Sequence, residues 1–583
     1  MFGKIIYISD NVAQIEIPDG TPVAENLMNM HVILEDNVKK ILGEIEDIDA
    51  RIIKVRFLGE FVGNRFVTGV IRKPTLSSAI RVITKEELDL VLRESNSISM
   101  LLGYSPLYDG YPVTVSINEL FSNHMAIFGN SGSGKSWGVA RLLQNIFYSK
   151  GYNPVKSNFL IFDAYGEYHN AFKDINQINP NYHFKYFTTN KKSSPENVLR
   201  IPLWLLTIED YAHLLNADTH AQLTIIEKML KITRIFASNS SEALSYKNHL
   251  IAKAITAVIY SNQSESSKRN DIFAIVNGCP TEAFNMEAVI SGIGYTRKFK
   301  DCFHIDREGN FSERVLMGEY ISSFIKEEYD TLDIHENNFY TLADVEKALD
   351  FTLISEGLLQ NEKMYNEAIT LKVRLHSIVV GENKEYFSYP NYITLEDYIA
   401  SLVTINGVKA QIINFNLDDI EDGIAKVITK IYTRMLFEFT KKLPTRASIP
   451  FHIFLEEAHR YVQDDKDKYL IGYNIFERVA KEGRKYGLIL NLISQRPVEL
   501  SETAISQCSN FLIFKMNHPR DLDYIKNMLP NISSEIVEKQ KTLQPGTCVA
   551  FGRAFKIPMI VKMDQPTPPP SSDNSDVSKI WIS

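Results

Sequence analysis

The sequence predicts an α/β fold: a parallel sheet domain covered on both faces, preceded by a small β-barrel and interrupted by a helical insertion. Three observations predict it. Strand-like segments crowd roughly the first 75 residues, a strand–glycine turn–helix–strand unit starts near Met125, and strands alternate with helices again from Lys409. Such alternation buries a parallel sheet between helical layers.

The N-terminal segments 4–9, 12–17, 31–36, 40–48, 51–57 and 66–71 are rich in Val, Ile and Phe. Ile53, Val55 and Phe57 alternate with Lys54 and Arg56, the two-residue period of a half-buried strand. Asp10-Asn11 and Pro18-Asp19-Gly20 supply turns. Five or six short strands in that length predict a barrel. Thr84 and Glu87 have capping-box spacing and predict a linking helix to about Arg93.

Val113, Val115 and Ile117 then alternate, and Met125-Ala126-Ile127-Phe128 leads into glycines. Val139, Leu142, Leu143, Ile146 and Phe147 fall at helical spacing, and 158–162 is a buried strand ending at Asp163. Residues 205–407 read as mainly helical, with helices at 211–215, 220–236 and 245–260 and a polar loop at 261–270. Strands are expected at 409–415, 451–455, 488–493, 511–515 and 548–551, and helices at 424–443 and 475–486. The Pro- and Ser-rich tail cannot pack a core alone, and its apolar tip Ile580-Trp581-Ile582 is expected to dock on a neighbour. The expected division is a barrel and linker helix (1–95), a first core part (96–204), the insertion (205–407), a second core part (408–564) and the tail (565–583).

The chain has 583 residues, 44% hydrophobic and 23% charged, with a net charge of −8. That is ample material for buried cores. The acidic balance argues against a surface coated in nucleic acid, though not against a narrow channel lined by a few cations. Four cysteines without CxxC spacing point to reduced thiols rather than zinc or disulfides. No signal-type segment and no apolar run of membrane-spanning length stand out, so a cytoplasmic protein with no membrane partner is expected.

The strongest chemical signal is Gly129-Asn130-Ser131-Gly132-Ser133-Gly134-Lys135-Ser136, followed by Trp137. Glycines let main-chain N–H groups close around phosphate oxygens, Lys135 meets the β/γ-phosphates, and Ser136 offers a hydroxyl to Mg²⁺. The following helix turns its positive end toward the anion. The expected ligands are therefore ATP and Mg²⁺, cradled by residues 129–137.

Glu456 and Glu457 end the apolar strand 451–455. Glu456 suits the metal side, through water, and Glu457 suits the base that polarises the attacking water. Asp163 and Glu167, in Asp163-Ala164-Tyr165-Gly166-Glu167-Tyr168, lie where a strand end meets the ligand crevice and are further candidates. The same residues also fit an ordinary turn around Gly166. Gln495, at the end of the strand 488–493, is placed like a polar sensor. Arg484 fits a group that stabilises γ-phosphate charge, in its own subunit or the next, and equally a cation at a helix C-terminus. Arg496 follows Gln495 and fits a structural role as well.

Taken in order, the barrel, GNSGSGKS, DAYGEY, LEEAH, EGRKYG and SQRP resemble the HerA hexameric ATPases of the HerA/FtsK group. The resemblance spans roughly residues 1–560. It implies a RecA-like P-loop core, a HAS-type barrel and a homohexameric ring that translocates on duplex DNA. It also implies a separate effector, a nuclease or a sirtuin-type NADase, docking on the barrel, in anti-phage defence or DNA end processing. Lys135 and Ser136 then match the Walker A pair, Glu457 the catalytic glutamate, Gln495 the sensor and Arg484 the arginine of its motif. Glu456 stands where Asp is usual. Lys466 and Lys468, in a charged segment interleaved with Asp464, Asp465 and Asp467, are candidate pore contacts or parts of a solvated loop. A different class of function is a scaffold ring whose ATP state switches its partner without substantial translocation. A secretion-type motor related to VirB4 is a third.

Overall fold

The computed structural model describes residues 3–18, 27–49, 51–93, 98–192, 194–238, 240–330, 339–355, 362–528, 540–572 and 577–582. The expected turn at Asp19-Gly20 and the expected boundary at 95/96 lie outside them. The chain forms two compact units. One comprises 1–197, 399–465 and 473–583, the other 198–398 and 466–472.

The N-terminal strands are β1 (Lys4–Ile8), β2 (Val12–Glu16), β3 (His31–Glu35), β4 (Lys40–Asp49), β5 (Ile52–Val62), β6 (Arg65–Thr68) and β7 (Ala79–Val82). They form one antiparallel sheet in the order β1-β2-β5-β4-β3-β7, with β6 beside β5. Alternate residues such as Ile15, Val32, Leu34, Ile41, Ile45, Ile53 and Val55 meet on its inner face. Register shifts in β4 at Leu42/Gly43 and Ile45/Asp47 bend the long strands around that core. Among the described residues β1 and β7 are not paired with each other, so the expected small barrel takes the form of a half-barrel. The capping box forms at α1 (Lys85–Leu92), with Thr84 and Glu87 each bonding the other's backbone N–H. Arg81 also grips Glu87 and holds its carboxyl down at about 2.

The core strands follow as β8 (Ser99–Ser105), β9 (Tyr111–Ser116), β10 (Met125–Phe128), β11 (Phe159–Asp163) and β12 (Phe184–Thr188). Helix α2 (Ile117–Phe121) precedes β10, and α3 (Lys135–Tyr148) follows it. The chain then adds the hairpins β13 (Val289–Gly292) with β14 (Tyr295–Lys298) and β15 (Thr404–Ile405) with β16 (Val408–Lys409). It ends with β17 (Ile412–Asn416), β18 (Phe451–Leu455), β19 (Leu488–Ser494), β20 (Asn510–Phe514), β21 (Thr547–Gly552) and β22 (Met559–Lys562).

Eleven strands join in the order β12-β17-β11-β18-β19-β10-β20-β21-β22-β8-β9. From β12 to β20 every pairing is parallel, and the strands β10, β11, β17, β18, β19 and β20 are buried along their whole length. That matches their largely apolar sequences. The last four strands are antiparallel, so the sheet is mixed rather than parallel throughout. A helical crossover ordinarily returns a strand in parallel. Here the helix Pro519–Met528 lies between β20 and β21, yet β21 runs against β20.

The second unit carries the helices Ile208–Leu214, His220–Ala237, Ser241–Ile259, Glu265–Gly278, Arg314–Ser322, Leu342–Ser355 and Glu362–Val380. The loop expected at 261–270 is instead largely the start of the helix Glu265–Gly278, whose N-cap Ser264 accepts the Ser267 N–H. Its first turns are exposed and polar, which conceals them from a reading based on apolar spacing. Among the described residues no helix is long and apolar enough to cross a membrane. All four cysteines are free.

Candidate active site

β10 sits at the centre of the eleven-stranded sheet, between β19 and β20, and delivers the chain into the glycine turn. Gly129 N–H donates to the Ser494 carbonyl at 3.3 Å and Asn130 N–H to the Lys515 carbonyl at 3.0 Å. Both neighbouring strands thus pin the loop. Gly132 (φ 73°) and Gly134 (φ 87°) are left-handed, a conformation glycine adopts without steric cost. A Cβ on Gly134 would stand 2.5 Å from the Gly546 nitrogen, so this turn has no room for a side chain.

Helix α3 starts at Lys135 with no side-chain cap and no acidic residue in its first turn. Its leading N–H groups and the positive end of its dipole are left for an anion. They open onto a cavity of about 680 Å³. Asn130, Ser131, Gly132, Gly134, Lys135, Ser136 and Trp137 line one side of it, and Glu167, Glu456, Glu457 and Gln495 line another.

Lys135 Nζ lies 3.3 Å from Glu457 Oε1, with both side chains only 6% exposed. β18, which carries Glu457 just past its end, is separated from β10 by β19 rather than adjoining it. Glu457 bridges that gap from a left-handed backbone (φ 48°), unusual for a residue with a side chain. The Ser136 hydroxyl donates to Glu456 Oε1 at 3.5 Å, and the Tyr168 hydroxyl to the same oxygen at 3.3 Å. Burial drives the Glu456 carboxyl well above its usual range, and the charges of Asp163 and Glu167 add to the shift. Burial also raises Glu167.

One oxygen on each of Glu167, Glu456 and Glu457 is buried without a hydrogen bond. Of the three, Glu456 also touches the Ser136 hydroxyl, and a carboxylate beside a hydroxyl suits a hard cation. Among the described residues no group of three His, Cys, Asp or Glu is placed to hold a metal unaided. The donor set therefore suits Mg²⁺, which takes one or two carboxylates and completes its shell with phosphate oxygens and water.

Asp163 is placed differently from the expectation. It is fully buried and does not line the cavity. It accepts the N–H groups of Glu167 (3.0 Å) and Tyr168 (2.8 Å) and the Asn414 side-chain amide (3.2 Å). Its work is to hold the turn that presents Tyr165 and Glu167 to the cavity.

Arg484 lies on the 3-10 turn Gly483–Tyr486, before β19 starts, whereas Gln495 follows the end of that strand. Seven strand residues separate the two ends by roughly 20 Å. Arg484 is exposed and does not line the cavity of its own chain. Lys466 pairs with Asp218 and donates to Asn216 at 3.2 Å, both within the helical unit. Lys468 lies on the short helix Asp467–Leu470 of that unit. Arg496 pairs with Glu499 at 3.0 Å.

The sequence reading missed the part of the cavity wall formed by the tail. Residues 562–565 and Ser572 line the cavity. The segment lies along α3: Gln144 donates to the Pro568 carbonyl at 2.8 Å and accepts the Thr567 N–H at 2.9 Å, while Trp137 Nε1 donates to Ser572 at 2.9 Å. Ser571 N–H reaches the Glu167 carbonyl at 2.8 Å. The signal was available in principle. An extended proline-rich segment makes no internal hydrogen bonds, so its carbonyls are free for donors elsewhere. His459 was also passed over. Its Nδ1 lies 3.2 Å from Glu457 Oε2 and 3.1 Å from Ser494 Oγ.

A triphosphate-sized cavity, a glycine turn feeding an uncapped helix and paired strand-end carboxylates on a RecA-like sheet define a P-loop ATPase. Known proteins narrow the class. Residues 101–278 match the family described as "Helicase HerA, central domain". A probable helicase of Methanocaldococcus jannaschii is 24% identical over 559 residues, covering 93% of this chain and 83% of the relative. The DNA double-strand break repair helicase HerA of Sulfolobus acidocaldarius is 23% identical over 581 residues, covering 97% and 90%. Among solved structures, VirB4 of Thermoanaerobacter pseudethanolicus aligns over 81% of this chain and 97% of its own, at 13% identity and a TM-score of 0.41. Over most of its length the chain is similar to helicases of the HerA family.

Proposed function

We propose that the protein is an ATP-dependent DNA translocase or helicase that works as a homohexameric ring with a partner effector. The observation that carries the reading is the Lys135–Glu457 contact at the mouth of the uncapped helix α3. It puts the phosphate-binding cation and the candidate base within hydrogen-bond reach of each other, at the place where a γ-phosphate and its attacking water would part them.

In this reading the loop 129–137 cradles ATP, and Lys135 leaves Glu457 for the β/γ-phosphates. Glu457 orients and deprotonates the water. Ser136 and Glu456, with Glu167 beside them, would hold Mg²⁺, which supplies charge neutralisation on the phosphates when bound. Gln495 senses the γ-phosphate from the tip of β19. Trp137 and Ser572 close the outer wall. Arg484 is too far from its own cavity to serve it, so it acts on the nucleotide of the next subunit, which makes a ring mechanistically useful.

DNA enters through the relatives, several of which are named DNA repair helicases. Counterion release makes phosphate-tracking contacts salt-sensitive. Duplex DNA is expected to stimulate ATP turnover several-fold at low salt, and the stimulation should collapse between 50 and 200 mM salt, by roughly 10-fold or more. Steady-state ATPase assays across salt check this, and turnover indifferent to DNA would remove translocation from the reading.

The effector, a nuclease or an NADase, docks on the half-barrel, in a defence or end-processing setting. The half-barrel exposes apolar side chains suited to that task, including Tyr7 (52%), Val62 (59%) and Ile71 (88%). Charging this face, as in Val62→Asp with Ile71→Asp, should abolish co-purification of the neighbouring gene's product while ATP turnover persists. Undiminished co-purification would move the partner elsewhere.

A further inference from the structure

The triphosphatase reading gives no role to His459, which stands against the candidate base. His459 stands on the 3-10 turn Ala458–Arg460 directly after β18. Its Nδ1 is shared between Glu457 Oε2 at 3.2 Å and Ser494 Oγ at 3.1 Å. Ser494 is the last residue of β19, next to Gln495. Its hydroxyl oxygen also accepts the Arg496 N–H at 3.0 Å, and its carbonyl accepts the Gly129 N–H at 3.3 Å. A single imidazole thus spans from the carboxylate beyond β18 to the strand tip that anchors the phosphate loop.

An ionised carboxylate can only accept, so the tautomer with its hydrogen on Nδ1 is the one able to engage Glu457, while the Ser494 hydroxyl can give or accept. Glu457 also needs outside support. Its backbone is left-handed, a conformation that a residue with a side chain keeps only when its surroundings over-determine it. Lys135 engages Oε1. Oε2 is buried and has no well-aligned hydrogen bond, with the His459 nitrogen close by but off-axis. Once a triphosphate draws Lys135 away, the His459 imidazole still stands 3.2 Å from the carboxylate.

We infer that His459 is a positioning residue: it holds the Glu457 carboxylate toward the attacking water and ties it to the β19 tip carrying Ser494 and Gln495. The inference rests on the ATPase reading and deepens it. Through this bridge, movement of the Gln495 strand tip on phosphate release would re-aim the base in the same step.

The test uses the full chain with His459→Ala, His459→Asn, His459→Gln, Ser494→Ala and the His459→Ala/Ser494→Ala double variant. ATP turnover, KM, nucleotide affinity and thermal midpoint are read for each. His459→Ala is expected to lower kcat by about 10- to 100-fold, the range for a misplaced reacting group, with KM and nucleotide affinity within about twofold. His459→Asn should recover most of the loss, because its amide N–H falls near the Nδ1 position. His459→Gln, whose amide falls near Nε2, should not. The double variant should be no worse than His459→Ala, since both remove one bridge. Equal turnover in the Asn and Gln variants, or losses that merely follow the thermal midpoint, would overturn the assignment. So would additive losses in the double variant. The parent reading fails by a different sign: an unaltered protein that binds ATP and never hydrolyses it, with or without DNA.

Discussion

Glu457→Gln is expected to cut ATP turnover by about 10²- to 10⁴-fold, the contribution of a positioned general base. Nucleotide binding should survive and tighten. The substitution keeps the shape of the side chain and an oxygen for Lys135, which lies 3.3 Å from Oε1. It removes one negative charge from a pocket in which Glu456, Glu167 and Glu457 already repel one another. An incoming polyphosphate then meets less repulsion. Equilibrium binding of a fluorescent nucleotide and steady-state hydrolysis, measured on the same preparation, check both halves. Turnover within twofold of the unaltered protein would take the base role away from Glu457.

Lys135→Ala is expected to lose nucleotide affinity and turnover together, because the cation that meets the β/γ-phosphates is gone. The variant should also be less stable without nucleotide. Lys135 and Glu457 are both nearly buried, and breaking a buried pair leaves one charge uncompensated. The cavity beside them admits water, so the cost is held to about 3 kcal/mol or less. Denaturant unfolding reads that term directly.

The same variant separates a motor from a scaffold. A scaffold would still bind and enable its effector, whereas a motor would not work. Mixing Lys135→Ala chains with Arg484→Ala chains tests the ring. An intact P-loop from one chain can meet an intact arginine from the other only across a subunit boundary. Mixed rings should regain activity that neither variant shows alone, and a mixture as inactive as its parts would return Arg484 to a structural role.

Much of the site was legible because its parts are local. The glycine turn and the strand before it occupy neighbouring positions, and strand 451–455 was read to its final residue. The capping box at Thr84 is equally local. Other features are decided by contacts or exposure that apolar spacing does not carry. Asp163 has the position of a ligand in its strand, yet its oxygens go to its own turn and to Asn414. The polar stretch 261–270 reads as a loop, yet from Glu265 it is helical, with its first turns facing solvent. The strand at 547–552 was found, but its direction was not, since a helical connection ordinarily brings the next strand back in parallel.

By itself the sequence determined the phosphate-binding loop. Eight consecutive residues hold the glycines, the lysine and the serine, and the main-chain geometry they impose needs no distant partner. Only the tertiary structure decided what faces that loop. Lys135 and Glu457 are 322 positions apart, and Trp137 and Ser572 are 435. Strand order and the path of the tail bring these pairs together, and both follow from burying apolar faces across the whole sheet rather than from any local spacing.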